Sequence, residues 1–187
     1  MKKYVVILLV LCFGLFQIVS AEGEKSVSVG ANLSIPSGDW SDFAGTGFGG
    51  TVQFLYAVNA NMAVVGQAGY IMFGGKSIEM ANYKTEWDYS AIPIVAGGRY
   101  YLGAGNGPKP FVGALVGLHM FKFKGKTTTT IFGTTQTNEG SESKTKFGFA
   151  PMAGVEVNNI DVSAFYMIIS DLNYIGVRVA YAFPIGQ

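Results

Sequence analysis

The sequence contains few charged residues. Lys, Arg, Asp and Glu make up 13% of its 187 residues, whereas ordinary soluble domains carry about 25%. Hydrophobic residues reach 49% and aromatic residues 14%, and the mean hydropathy is +0.32. A chain of this composition has too few charges to cover a water-facing surface, which disfavours an ordinary soluble domain. Its length allows one domain rather than two.

The start of the chain differs from the rest. Lys2 and Lys3 precede an apolar run over residues 4–16, and the small-residue ending Val19-Ser20-Ala21 follows. This order is typical of a secretory signal peptide, and the apolar run is too short for a spanning helix. We predict that residues 1–21 are cleaved and that residues 22–187 form a single barrel domain.

Cysteine is almost absent. Cys12, the single cysteine, lies in the predicted signal peptide, so the mature chain would hold no disulfide and no thiolate metal site. Cleavage also lowers Lys plus Arg from 13 to 11, against 12 acidic residues, for a mature net charge of about −1. This charge implies no basic surface for nucleic acid.

Long apolar runs are missing after residue 21. None reaches the roughly 20 residues of a spanning helix. An exported, apolar chain without such a helix is typical of a membrane β-barrel, because only helices and closed barrels pair every backbone group within lipid.

Eight segments alternate between apolar and polar residues with a period of two, and the 26 glycines disfavour helices. Most of these segments have about the 9–11 residues that a tilted strand needs to cross a bilayer. The predicted strands are residues 26–35, 46–57, 62–73, 89–102, 109–123, 144–157, 161–170 and 174–183. From these eight segments we predict an all-β, eight-stranded, antiparallel, up-and-down transmembrane barrel.

The connections differ in length. "VNAN", "GAGNGPKP" and "VNNID" are compact, whereas the alternate connections, residues 36–45, 74–87 and 124–143, are longer, with the short "DLN" as the one exception. Short turns on one side and long loops on the other are typical of outer-membrane barrels. We expect the Thr- and Ser-rich segment 124–143 to be a solvated loop.

The last strand illustrates the two faces. Ile175, Val177, Val179, Tyr181 and Phe183 share one face, which we expect to contact lipid; Gly176, Arg178 and Ala180 share the other, which we expect to line a narrow interior. The polar residues predicted for the interior are Gln53, Gln67, Arg99, Glu156 and Arg178. Because buried charges need partners, we hypothesise a network of Arg99, Arg178 and Glu156.

Aromatic residues predict two belts at the membrane interfaces. We expect Tyr56, Tyr100, Phe111, Tyr181 and Phe183 at the periplasmic level, and Tyr70, Phe121, Phe123, Phe147 and Tyr174 at the outer level. In the fifth strand, alternation predicts His119 outward and Lys122 inward.

Candidate chemistry is sparse. "GTGFGG", residues 45–50, has the spacing of a dinucleotide loop but precedes a predicted strand instead of opening a helix, so we reject a nucleotide site. His119 is the only histidine, which excludes a multi-histidine metal site. Lipid A deacylases are similar in having a lipid-facing histidine, but their pattern places a serine where this chain has Phe121. We expect no enzymatic activity, cofactor or metal.

"GDW", residues 38–40, is similar to the G-x-W signature near the start of lipocalins, although Trp40 would lie in a loop after the first strand. A secreted lipocalin-like binding barrel therefore remains an alternative.

The stretches "IPIVAGGRYYLGAGNGPKPFVGALVG", residues 92–117, and "YIGVRVAYAF", residues 174–183, resemble the OmpA-type family of small outer-membrane β-barrels. The resemblance implies an eight-stranded barrel in a Gram-negative outer membrane and no single activity. One departure is the tail "PIGQ" after Phe183, where such proteins usually end on an aromatic residue.

The sequence therefore predicts a non-enzymatic protein with a structural or surface-interaction role. The alternative of a small channel or transporter for small or hydrophobic molecules remains open, although an eight-stranded barrel has an interior that side chains can fill. The expected partners are outer-membrane lipid and lipopolysaccharide, the barrel-assembly machinery and an extracellular ligand of the loops, for a monomeric protein that binds no nucleic acid.

Overall fold

Antiparallel strands make up most of the described chain. The computed structural model describes residues 23–75, 77–80, 83–103, 107–131 and 134–185. The predicted signal peptide, with Cys12, lies outside these ranges. The strands are β1 (Lys25–Pro36), β2 (Ala44–Ala57), β3 (Met62–Gly75), β4 (Ser77–Met80), β5 (Tyr83–Tyr101), β6 (Lys109–Ile131), β7 (Thr134–Val157), β8 (Ile160–Ile169) and β9 (Tyr174–Ile185). A 3₁₀ helix, Gly38–Asp42, connects β1 to β2. Among the described residues, no helix has the length and apolar character needed to cross a membrane.

Eight strands close into a ring. The hydrogen-bonded order is β3-β2-β1-β9-β8-β7-β6-β5-β4, and β3 also pairs with β5. The short β4 continues the line of β3 along β5, so it adds no further position to the ring. All neighbours are antiparallel, which confirms the predicted eight-stranded, all-β barrel.

Two faces alternate along the strands as the sequence predicts. In β8 every second residue is buried, and in β9 Arg178 is buried between the exposed Val177 and Val179. Large apolar side chains are exposed around the outside of the barrel, among them Phe147 at 65% and Phe48 at 62%. A lipid solvent accounts for such a surface, since monomeric soluble proteins rarely expose large contiguous apolar patches.

Three strands extend beyond the ring. β5 begins at Tyr83, β6 continues to Ile131, and β7 begins at Thr134 and pairs with β6 without interruption. The prediction of a solvated loop over 124–143 is therefore wrong for its described residues. The polarity of this segment indicated a loop, but its β-branched threonines favour a strand once a partner strand is available.

Candidate functional site

The barrel interior has two halves of different chemistry. We call the end with the short turns after β2, β5 and β7 the turn end, and the end from which β5, β6 and β7 extend the projecting end. Polar and charged side chains fill the half near the turn end, and aromatic side chains fill the half near the projecting end. Both halves are formed by the inward faces of the strands.

Arg99 spans the interior near the turn end. Its guanidinium donates through Nη1 to Asp161 of β8 and through Nη2 to Gln53 Oε1 of β2 at 2.8 Å. The guanidinium carbon lies 4.2 Å from the ring centroid of Phe111, a cation–π contact. Because β5, β8 and β2 are not neighbours in the ring, these contacts cross the lumen.

Arg178 completes this cluster from β9. It donates through Nε to Thr51 at 3.0 Å and through Nη2 to Ser28 at 2.6 Å, and its Nη1 lies 3.4 Å from Asp161 Oδ1. Asp161 thus lies between two guanidiniums, and all three residues are at most 3% exposed. We call Arg99, Asp161 and Arg178 the buried charge cluster.

The predicted polar residues occupy distinct places. Gln53, Gln67, Arg99 and Arg178 are buried, and Gln53 donates to Gln67 at 3.4 Å. Glu156 is half-buried and accepts a hydrogen bond from the Tyr101 hydroxyl at 3.1 Å. The hypothesis that Glu156 pairs with the arginines is wrong, since the carboxylate that pairs with both of them is that of Asp161.

Asp161 is the site residue that the sequence prediction missed. It lies at the start of β8, directly after the tight turn in which Asn158 has a φ of 54°. The alternation of β8 already indicates an inward Asp161, and the neighbouring β9 carries Arg178, so the signal was present in the sequence. Asp161, rather than Glu156, is the partner of the arginines because its carboxylate lies between the two guanidiniums.

Aromatic rings close the projecting end. Trp40 is 4% exposed, and its ring lies 4.6 Å from that of Phe73, 5.8 Å from Phe121 and 6.1 Å from Tyr174. Trp40 belongs to the 3₁₀ helix after β1, which therefore folds over the mouth of the barrel. Its side chain is a buried plug, although the sequence suggested only a loop position.

The predicted orientation of β6 is wrong. His119 is fully buried and stacks on Phe121, with ring centroids 6.2 Å apart, whereas Lys122 is exposed. Both faces of β6 are apolar, so alternation alone does not separate them. Small residues on the neighbouring strands decide the orientation; for example, the His119 ring lies over Gly148 of β7.

The residues predicted for the aromatic belts divide between the outside of the barrel and its interior. Tyr70, Tyr100, Phe147, Tyr181 and Phe183 are exposed on the outside of the barrel. Phe111, Phe121 and Tyr174 are each 1% exposed and point inward, and Phe123 is half-buried against the same core, so these four do not belong to a belt. Tyr56 lies on the outward face of β2 by its pairing with Lys25, but it is buried beside Gly23. Large inward rings fit because glycines face them, as Gly154 faces Phe111.

A projecting sheet continues above the ring. It comprises β4, residues 83–89 of β5, 122–131 of β6 and 134–146 of β7. Its outward face carries Lys122, Lys124 and Lys126, with Asp88 opposite Lys124 and Glu139 opposite Lys126. The Lys126 and Glu139 side chains form an exposed ion pair at 3.6 Å. The lysine row is therefore offset by carboxylates.

Several proteins of known structure are similar to the chain. Ail, the attachment invasion locus protein of Yersinia pestis, is 23% identical with a TM-score of 0.56, and the match covers 87% of this chain and 100% of Ail. The complex of Ail with the heparin analogue sucrose octasulfate matches over the same shares, with 23% identity and a TM-score of 0.51. Neisserial surface protein A is 16% identical with a TM-score of 0.46, over 84% of this chain and 94% of its own. No curated protein sequence matches the chain significantly.

The family of the chain follows from its sequence match. The family model described as the outer membrane protein beta-barrel domain matches residues 6–183. This match covers most of the chain, and it agrees with the closed ring of eight strands and the exposed apolar outer surface. It removes the alternative of a secreted lipocalin-like barrel. The chain belongs to the outer membrane protein β-barrel domain family and is a protein of the Gram-negative outer membrane.

Proposed function

We propose that the protein is a closed, non-enzymatic barrel that makes contacts at the cell surface through its projecting sheet. The observation that carries this proposal is the sheet itself, in which a 24-residue strand, β7, rises above the ring with one edge unpaired over 134–147. Strand edges that carry free backbone donors and acceptors can bind extended polypeptide segments.

The interior supports a structural barrel rather than a channel. The buried charge cluster crosses the lumen near the turn end, and Trp40 lies over the projecting end. An ion or nutrient would have to displace both layers. We therefore expect no reproducible conductance steps when the purified protein is inserted into a planar lipid bilayer; regular steps would favour the transporter alternative.

The remaining features follow as parts of this proposal. Residues 1–21 act as a cleaved signal peptide, and within the family the chain is an OmpA-type barrel assembled by the barrel-assembly machinery. The outward rings of Tyr70, Tyr100, Phe147, Tyr181 and Phe183 rest at the membrane interfaces against lipid and lipopolysaccharide. The interior polar residues hold the wall together and have no catalytic role.

Sulfated sugars are not the ligand class that this sheet favours. Ail binds the heparin analogue sucrose octasulfate, but here carboxylates lie opposite Lys124 and Lys126. Opposed charges weaken the attraction for a polyanion. We therefore expect sucrose octasulfate to bind weakly and polypeptides to be the preferred partners.

A shortened hairpin tests the proposal. Residues 124–141 are replaced by Asn-Gly, which joins the paired residues Phe123 and Glu142 through a two-residue turn. We expect the variant to reach the outer membrane and to keep its heat-dependent gel mobility, while adhesion of expressing cells to immobilised extracellular polypeptides falls to that of cells without the protein. Unchanged adhesion would contradict the proposal, and heparin-coated wells serve as the comparison surface.

A further inference from the structure

The unpaired edge of β7 is long and fully exposed. β7 pairs with β8 only from Gly148 onward, whereas it pairs with β6 along its whole length. Every residue from Gln136 to Thr145 is exposed, so no described segment covers this edge. Natural proteins usually protect such edges with proline, bulges or covering loops. An exposed edge of ten residues is therefore a candidate interaction surface.

The positions of two prolines show which residues present their backbone groups at this edge. The carbonyl of Pro110 in β6 accepts a hydrogen bond from Leu102, on the β5 side, so the even residues of β6 face β5 and its odd residues face β7. The unbroken β6–β7 register pairs odd with even residues, so the odd residues of β7 face away from β6. Pro151 agrees, because the β7–β8 pairing is interrupted at that position.

We infer that this edge pairs antiparallel with the same edge of a second copy of the chain, held in an apposed membrane. The inference rests on the proposed role of the projecting sheet and names its partner. Two identical edges can be related by a two-fold axis in two ways. An axis perpendicular to the sheet makes the two β7 strands antiparallel, and an axis that runs along the strands makes them parallel. The parallel arrangement is excluded. It would place each odd residue of one β7 level with the same odd residue of the other, so that both present their backbone groups at the same height. In a parallel ladder the residues that present their backbone groups are offset by one residue between the two strands.

The antiparallel case fixes the relation of the two membranes. Each β7 runs from the projecting end to the turn end, so an antiparallel pair has its two barrels pointing in opposite directions. Two copies in one membrane share one direction. The pairing therefore joins copies in facing membranes and forms one continuous sheet from the two projecting sheets.

Space limits where the two-fold axis can lie. From Gly148 onward the edge is occupied by β8, and the Lys146 ammonium donates to the Ser170 carbonyl at 2.6 Å just above it. An axis at Gly140 places Thr134, the first described residue of β7, opposite Lys146, two residues before the first β7–β8 pair at Gly148. An axis at Ser141 places Thr134 opposite Gly148, which already pairs with Ile169 of β8, so this axis and those beyond it are excluded.

Charge selects among the remaining positions. An axis at Glu139 places two carboxylates directly opposite each other, which is destabilising. An axis at Gly140 pairs Gln136 with Lys144 and Asn138 with Glu142, amide against charge, and leaves no like charges opposite. An axis at Asn138 also avoids like charges, because Glu139 then faces Thr137. The pairing is therefore centred on Gly140 or Asn138.

Single cysteines test this geometry. Even residues form the non-hydrogen-bonded pairs, whose Cα atoms lie about 4.5 Å apart, within the roughly 4.4–6.8 Å range of disulfides. A Cβ at Gly140 meets open space, and the mature chain would have no competing cysteine. The full protein is reconstituted into two differently labelled liposome populations as Gly140→Cys, Asn138→Cys or, as an equally exposed control, Ser143→Cys.

We expect disulfide-linked dimers and liposome tethering for Gly140→Cys or Asn138→Cys, and only background crosslinking for Ser143→Cys. A second pair of variants probes the backbone: Ser141→Pro removes an edge donor and loses tethering, whereas Ser141→Ala keeps it. Equal crosslinking at all three cysteine positions, or none at any, overturns the inference. If the shortened hairpin abolishes adhesion while no cysteine crosslinks, the proposed function stands and the partner is not a second copy.

Discussion

The two halves of the lumen are filled in different ways. Near the turn end, two guanidiniums share one carboxylate and donate hydrogen bonds to side chains of three strands, β1, β2 and β8. Near the projecting end, rings from the 3₁₀ helix, β3, β6 and β9 pack on one another. A charge network depends on each partner, since a lost partner leaves a buried charge, whereas a packed aromatic cluster loses only the contacts of the ring removed.

The largest effect is expected from breaking the charge cluster. Asp161→Asn removes the carboxylate between Arg99 and Arg178 and should lower the free energy of unfolding by about 3–5 kcal/mol. Urea titration of the detergent-solubilised protein, followed by tryptophan fluorescence, measures this change. Asp171→Asn is the matched control, because Asp171 is exposed. Equal effects of the two substitutions would show that the cluster contributes no special stability.

Removing the aromatic plug should have the next largest effect. Trp40→Ala should lower the free energy of unfolding by about 3 kcal/mol, the lower end for a buried large aromatic side chain. The sequence has two tryptophans, and Trp87 is half-buried in the projecting sheet, so Trp87→Ala is the comparison and should cost less.

The same two tryptophans give a spectroscopic control. With Trp87→Phe the remaining Trp40 should emit at short wavelength and resist quenching by acrylamide, whereas with Trp40→Phe the remaining Trp87 should be quenched. Equal quenching of the two would contradict the plug.

A smaller effect is expected where the two halves meet. A Cβ added at Gly176 would lie 2.1 Å from Cζ of Phe165, whose ring packs on Tyr174. Gly176→Ala should therefore lower the free energy of unfolding by about 1–3 kcal/mol through overpacking. Gly66, where a Cβ meets nothing within 4 Å, is the control. If Gly66→Ala lowered the free energy of unfolding as much as Gly176→Ala, the loss would come from replacing any glycine and not from overpacking against Phe165.

The smallest effect concerns a charge outside the lumen. A hydrogen bond from Lys146 at 3.2 Å, with a second from Ser170, lowers the pKa of Asp171 below its ordinary 3.8. A lowered folded-state pKa stabilises the fold above the unfolded pKa, and this contribution is lost as the pH falls through the folded value. The wild type should be slightly more stable than Asp171→Asn at pH 7, and the difference should vanish at the acidic end of the titration.

Much of the fold could be predicted from residue pattern. Each predicted strand overlaps a strand of the ring, because the period of two is a local property of the chain. Arg99 and Arg178 could be placed inside by the parity of their strands. The orientation of β6 could not be predicted, because its two faces are equally apolar. One face carries Phe111, Leu115 and Phe121, and the other carries Val112, Val116 and Leu118.

The sequence by itself determined that the chain crosses a membrane with strands, since alternation, low charge and the lack of long apolar runs are local properties. Only the tertiary structure decided that Asp161 joins the two arginines, that Trp40 covers the mouth and that β7 rises with a free edge. The first two depend on which residues face each other across the lumen, and the third depends on where the β7–β8 pairing stops, at Gly148. These contacts are set by how the ring of strands closes and not by the spacing of the residues along the chain.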